Sequence, residues 1–308
     1  MGVFEHARRG PRTGGDAVRE HIRNVTGSDD AYVFAYRSLA VHAYVLAEPV
    51  PHVLYTTFGV SRVASSQPTA GTQTELTMRV PGAPALPQQW PADVLAHAAR
   101  DEIEPGHYLS LDTPRGTLTG FVFVTDPLLG VLDGPTGFIR FTCAVGLAGD
   151  DFERMLSWDP LKFAALISDR VPLSMTSTGR APLSAHPDDR EMLDRVVGAE
   201  GSSIGAMHAR FLDVDATGRV DMDTAAARAV VRAARHRLLH GRTFALLNGD
   251  TWLLFDPRCP TAELADDHII VPATTAFAHE LLAVFDAAPG VYRLRTAPVE
   301  IRVVDPNT

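Results

Sequence analysis

Apolar and polar residues alternate along this chain with two different periods, and the switches between them divide it into elements. In residues 16–27, Val18, Ile22 and Val25 recur at helical spacing, with Asp16 as the expected N-cap and Gly27 as the stop. Three strand-like runs follow, AYVFAY (31–36), VHAYVLA (41–47) and HVLYTTFGV (52–60). TELTMRV (74–80) alternates as a half-buried strand does, and the Pro-rich 81–91 leads into a helix over 92–100 with Pro91 at its start. Strands are expected at 117–125, before the turn Thr125-Asp126-Pro127, and at 137–147. Two helices are expected next, one from Asp150 or Asp151 and one over 159–168.

The polar stretch 177–189 marks a boundary. Beyond it the pattern predicts a helix from about 188, a hairpin over 207–223 and a helix over 224–240. Two strands around Asn248-Gly249-Asp250, a strand at 268–273, a helix at 275–287 and a last strand at 299–304 complete the chain. The expected fold class is α+β, with two lobes, each a mixed or antiparallel sheet packed with helices. The lobes are expected at 16–180 and 181–308, behind a flexible N-terminal tail, 1–15, which carries no core pattern.

Composition narrows the partners. The formal net charge of −9 argues against nucleic acid, which demands a basic surface. No apolar window is long enough to span a membrane and the N-terminus has no signal-like apolar region, so the expected location is cytoplasmic. Cys143 and Cys259 are the two cysteines, too few for a disulfide framework. Lys162 is the one lysine, a bias typical of GC-rich genomes that suggests a bacterial source.

The candidate chemistry is sparse. His236 and His240 share a helix face and could hold a metal, but RHRLLHGRTF (235–244) also reads as a helix end closed by Gly241. Residues 213–223 place Asp213, Asp215, Thr217, Gly218 and Asp221 as a calcium loop would, yet Thr224 stands where a bidentate Glu belongs; a hairpin turn at Gly218 explains the same letters. Asp126-Pro127 and Asp256-Pro257 read as turns that end strands. Nucleophile-elbow, phosphate-loop, dinucleotide-fold and zincin motifs are all absent. No cofactor or metal is expected.

Several segments together resemble the suppressor of fused family. They are HVLYTTFGVS (52–61), TELTMRVPG (74–82), WPADVLAHAAR (90–100), GHYLSL (106–111), TDPLLG (125–130) and GPTGFIRFTCAVGL (134–147), followed by RLLHGRTF (237–244), NGDTWLLF, TAFAHELLAVF and VEIRVV. The resemblance covers about 40–305. It implies two lobes, no enzymatic activity, and a protein or peptide partner taken as an added β-strand in a cleft between the lobes. In animals the family sequesters Gli-type transcription factors; bacterial relatives are thought to act as immunity proteins against toxins.

Where the animal proteins use a Tyr, an Asp and a Glu, this chain has Asp101, Gly106 and Thr125, and beside these positions His107 and Asp126 match. The candidate partner-binding set is therefore Asp101, Gly106, His107, Tyr108, Thr125 and Asp126, with His240 and Arg242 from the C-terminal motif. The acidic balance fits a basic partner such as a toxin. Two alternatives stay open: a scaffold in a larger assembly, and an enzyme using Asp126, His107 and Asp256.

Overall fold

The structure, a computed structural model, describes residues 12–305. It divides into two compact units. One runs to Phe152 and then takes Pro160–Leu183; the other takes Glu153–Asp159 and the chain from Ser184.

The first unit is built on an eight-stranded sheet. In chain order its elements are α1 (Gly14–Thr26), β1 (Tyr32–Ala35), β2 (Ala40–Leu46), β3 (His52–Phe58), β4 (Thr72–Pro81), α2 (Trp90–Ala98), β5 (Tyr108–Arg115), β6 (Leu118–Thr125), β7 (Val131–Gly134), β8 (Gly137–Ala148), α3 (Asp151–Leu156) and α4 (Pro160–Arg170). The strand order is β1-β2-β3-β4-β8-β6-β5, with β7 also on β8. Every pairing is antiparallel except β4 with β8, where Thr72–Thr77 lies beside Phe138–Cys143. Helix α2 covers one face through Trp90, Ala92, Leu95 and Ala98, over Tyr55, Leu76, Met78, Phe121 and Phe123. Helix α1 covers part of the other through Val18 and Ile22, against Leu54, Leu129, Ile139 and Phe141.

The start of the chain departs from the sequence expectation. Residues 1–11 lie outside the described residues, but Gly14 and Gly15 are buried. Thr13, not Asp16, is the N-cap of α1, and Asp16 sits three residues on to complete a capping box. The Gly14 and Gly15 amides donate to the carbonyls of Ser65 and Val63 at 2.7 and 2.8 Å. A Cβ on Gly14 would stand 2.6 Å from the Arg62 carbonyl, so only glycine passes there. Two glycines of the expected tail are where a helix start presses on a loop. Thr13→Ala should cost about 1 kcal/mol, as other N-cap losses do, read as a lower urea midpoint; an unchanged midpoint would remove the cap from the account.

The second unit carries α5 (Pro187–Glu200), β9 (Ala206–His208), β10 (Leu212–Val214), β11 (Arg219–Asp223), α6 (Thr224–His236), β12 (Phe244–Asn248), β13 (Thr251–Asp256), β14 (Glu263–Leu264), β15 (His268–Pro272), α7 (Thr275–Val284), β16 (Gly290–Arg293) and β17 (Glu300–Val304). It has two mixed sheets, β10-β11-β17-β16 and β14-β15-β13-β12-β9. Between them one core gathers Val220, Met222, Ile301 and Val303 from the first sheet, Leu246, Leu253, Phe255 and Ile269 from the second, and the apolar stripes of α6 and α7. Ala226, Ala229, Ala233 and Ala234 line α6, small enough to bring a helix close to strands.

The expected hairpin over 207–223 is only half right. Leu212–Val214 and Arg219–Asp223 pair across a turn at Gly218, φ +88°, but Met207 and His208 belong to β9, which pairs in parallel with β12. The loop carboxylates serve the fold: Asp215 accepts from the Thr217 and Arg219 amides, and Asp221 pairs with Arg219 and Arg302. Helix α6 ends at His236, and Gly241, φ +67°, closes a separate short turn, Leu238–His240.

Candidate functional site

Strand β4 sets two buried polar clusters. Glu75, Thr77 and Arg79 stand at every second position, so all three lie on one face of the sheet, and all three are fully buried. Arg79 donates from both terminal nitrogens to Asp126, at 2.5 and 2.9 Å. The same carboxylate accepts from the Thr77 hydroxyl at 2.6 Å and from the amides of Leu128 and Leu129 at 2.9 and 2.8 Å. Burial alone would raise the Asp126 carboxyl; the Arg79 hydrogen bonds and charge, with the Leu129 amide and the Thr77 hydroxyl, hold it below the usual range instead. Cys143 lies beside this pair, and burial pushes its thiol up to about 12, so it is no nucleophile.

This placement corrects the expectation for Asp126. Its side chain is fully enclosed. It anchors the 126–130 turn inside the lobe and has no face to offer a partner or a substrate. Asp256, by contrast, caps its own turn through the Arg258 amide at 2.9 Å. The two Asp-Pro carboxylates are separate structural devices in separate units.

Glu75 is buried with no cationic partner among the described residues. It accepts from the Thr57 hydroxyl at 2.5 Å, the Gly59 and Ser61 amides at 3.1 and 2.9 Å, and the Ser61 hydroxyl at 2.5 Å. The TTFGVS and TEL segments thus form one constellation, a carboxylate that fixes the bend after β3. On the Leu76 side of β4 lies a hollow of about 390 Å³, lined by Val60, Leu76, Ala99 and Ile103 and rimmed by Asp101, Glu102 and Glu104, with Arg62 and Arg100. Asp101 is the sequence candidate that faces it.

From the hollow the chain runs directly into β5. The His107 amide donates to the Glu104 carbonyl at 3.0 Å and turns the backbone; Gly106, φ +94°, lies in that turn and donates to the Phe123 carbonyl at 2.8 Å. Strand β5 is the last strand of its sheet. Because the Phe123 amide donates to His107 and Leu109 lies opposite Phe121, alternation aims the backbone groups of Tyr108 and Ser110 away from β6. His107 and Thr125 are exposed, and Tyr108 packs edge-on against Phe152 with ring centroids 5.9 Å apart.

The second unit has a similar edge. Strand β9 is the last strand beside β12, and the bonds from Ala245 to the Gly205 carbonyl and from Ala209 to the Leu247 carbonyl fix its alternation. Ala206 and His208 therefore present their backbone groups outward, and both are exposed. Behind β9, the RLLHGRTF segment is a brace. Buried Arg237 donates to the Ser202 carbonyl at 2.7 Å and the Thr243 carbonyl at 2.7 Å, and exposed Arg242 donates to Ser202 at 3.2 Å. His240 lies against Gly201, where an added Cβ would meet its ring at 2.8 Å. The two sequence candidates in this unit thus frame the loop that leads into β9. Arg237, which sequence reasoning passed over, is the buried member of the same motif.

Two imidazoles show opposite environments. Burial and the charges of Arg235, His240 and Arg232 push His236 down to about 4. His268 stacks on Trp252, centroids 4.4 Å apart, and bonds Glu263 and Asp267 at 3.1 and 2.8 Å, which raises it above its ordinary value. The His268 contribution to stability is full below the unfolded value of about 6.5 and fades as pH rises through the raised folded one. Proton-resolved NMR titration should show His268 charging first on acidification and His236 last; the reverse order would refute both environments. Among the described residues no group of three or more His, Cys, Asp or Glu gathers as metal ligands would, and no helix is long and apolar enough to cross a membrane.

A family model described as suppressor of fused protein (SUFU) matches residues 36–181. No curated protein matches the sequence. The crystal structure of Drosophila Suppressor of Fused matches with a TM-score of 0.68 at 16% identity, covering 96% of this chain and 98% of that one. The Sufu-Fu complex crystal structure matches with a TM-score of 0.51 at 19% identity, covering 59% of this chain and 98% of that one. At such identities the structural likeness is one of fold.

Proposed function

From the match of residues 36–181 to the suppressor of fused family, we propose that this chain is a non-catalytic protein that binds a protein partner by adding an extended segment of it to its open sheet edges. The observation that carries the reading is the pair of terminal strands, β5 and β9, whose outward backbone groups at Ser110, Ala206 and His208 are a ready template for a further strand. Tyr108, His107, Gly106 and Thr125 surround the β5 edge, and His240 and Arg242 support the β9 edge. The expected cleft between the lobes enters as the expectation that one partner uses both edges. The related complex named for Sufu and Fu supports a protein as the partner class.

The hollow before β5 sets the partner's charge. Asp101, Glu102 and Glu104 are exposed carboxylates at the end of α2, and the chain as a whole carries −9. A strand docked on β5 that continues toward this rim is favoured when it carries Lys or Arg, and long-range attraction speeds its arrival. Neutralisation of a basic toxin by a bacterial immunity protein is the role that best fits these features.

The experiment is capture of partners from the native host with the intact protein, beside the Asp101→Asn, Glu102→Gln, Glu104→Gln variant. A partner with a basic segment, bound at least tenfold more weakly by the variant, is the expected outcome. Equal binding by the variant would remove the hollow from the proposal.

A further inference from the structure

The second unit holds a patch of opposite sign to the chain's net charge. Arg228, Arg232 and Arg235 stand at spacings of four and three along α6, on its solvent-facing side. They line a hollow of about 350 Å³ with Val231 and His236, closed at the sides by Glu153 and Ser157 and by Asp286 and Ala287. The two acids leave the outer arginines without an ion pair. Glu153 is engaged by Arg232 at 2.9 Å, and Asp286 accepts from the Tyr292 hydroxyl at 2.5 Å and the Ala288 amide at 3.0 Å. Arg228 and Arg235 are exposed and have no acidic partner among the described residues. Burial chiefly depresses the His236 imidazole in the same hollow, and the charges of Arg235, His240 and Arg232 depress it further.

We propose that this hollow is a binding site for a multivalent phosphate group, held between the guanidinium groups of Arg228 and Arg235 with Arg232 at its floor. The unpaired guanidinium groups of Arg228 and Arg235, about two helical turns apart, suit an extended polyanion better than a single carboxylate, because each offers a planar pair of donors to a different set of oxygens. Exposure of the two unpaired arginines leaves them free to converge on such a ligand. The hollow is of the size that small-molecule sites occupy. The group could arrive on a free small molecule or on a phosphorylated partner side chain.

The test is calorimetric titration of the full chain with pyrophosphate, with inorganic phosphate and with a doubly phosphorylated peptide as separate probes, alongside NMR titration of His236. Pyrophosphate is expected to bind more tightly than phosphate, with affinity falling steeply as salt rises. Arg228→Gln with Arg235→Gln should weaken it at least tenfold, whereas Arg258→Gln, an exposed arginine elsewhere in the unit, leaves it unchanged. Bound pyrophosphate should also raise the His236 midpoint, because the anion offsets the arginine charges that add to the effect of burial. Tighter binding of the peptide than of pyrophosphate would place the group on a partner protein; the converse would place it on a small molecule. No saturable binding of any probe, or equal binding by the double variant, overturns the proposal. Both arginines are exposed and unbonded, so the variant keeps its fold.

Discussion

Asp126→Ala should destabilise the first unit by about 3–5 kcal/mol, the loss expected when one member of a buried ion pair is removed and the other is left charged in the core. Arg79 would then sit fully buried with its guanidinium stripped of both contacts to the carboxylate, and the Thr77 hydroxyl and the Leu128 and Leu129 amides would lose their acceptor too. Urea unfolding, followed by hydrogen exchange of the β3, β4 and β8 amides, reads the effect. Arg79→Met combined with Asp126→Leu should recover much of the loss, because no buried charge then remains unpaired. The pair also has a pH signature. The folded Asp126 carboxyl is held below its unfolded value of about 3.9. Its stabilisation is therefore present above that value and lost as pH falls toward the folded one. A variant as stable as the parent would show that the carboxylate is free for a partner after all.

Glu75→Ala should cost about 3 kcal/mol, since several buried donors lose their acceptor at once and each such orphan costs about 1–3 kcal/mol without full additivity. The Thr57 and Ser61 hydroxyls and the Gly59 and Ser61 amides all converge on this one side chain. The bend they hold carries Val60 and Arg62 into the wall of the acidic hollow. The variant should therefore weaken partner capture as well as stability, and Glu75→Gln should restore part of both. Loss of stability with undiminished capture would separate the hollow from the binding reaction.

The difference between these two residues and the rest of the fold explains what the sequence could show. Strands such as β3 and β8 announce themselves because their apolar runs are local. Strands β7, β14 and β16 are too short for a period to build up, and β14 has two residues. Sheet order is harder, because the parallel pairing of β4 with β8 joins residues more than sixty positions apart, and without it nothing marks β5 as an edge. One signal was available. Glu75, Thr77 and Arg79 put three polar residues on one face of a strand whose other face is Leu76 and Met78. Such a strand is half solvated or polar-paired inside, and the second holds here. Asp126 stands out by resemblance and by its place before Pro127; its partner Arg79 lies 47 residues away, out of reach of any local pattern. In the opening of the chain, Thr13 and Asp16 formed a capping box in plain sight, masked by a Gly-rich surround that reads as a tail.

The central claim, that a partner binds by strand addition, is tested most directly by proline at the open edges. Ser110→Pro and His208→Pro each remove an N–H that points away from the sheet, so the ladder bonds to β6 and β12 are kept and proline is tolerated as it is on edge strands. Partner capture is measured for each variant and for the pair, with thermal melts alongside. The account predicts melting temperatures within a few degrees of the parent and a drop in capture of at least tenfold with both prolines present. Capture at the parental level by a folded double variant would contradict it, and would move the partner site away from both edges.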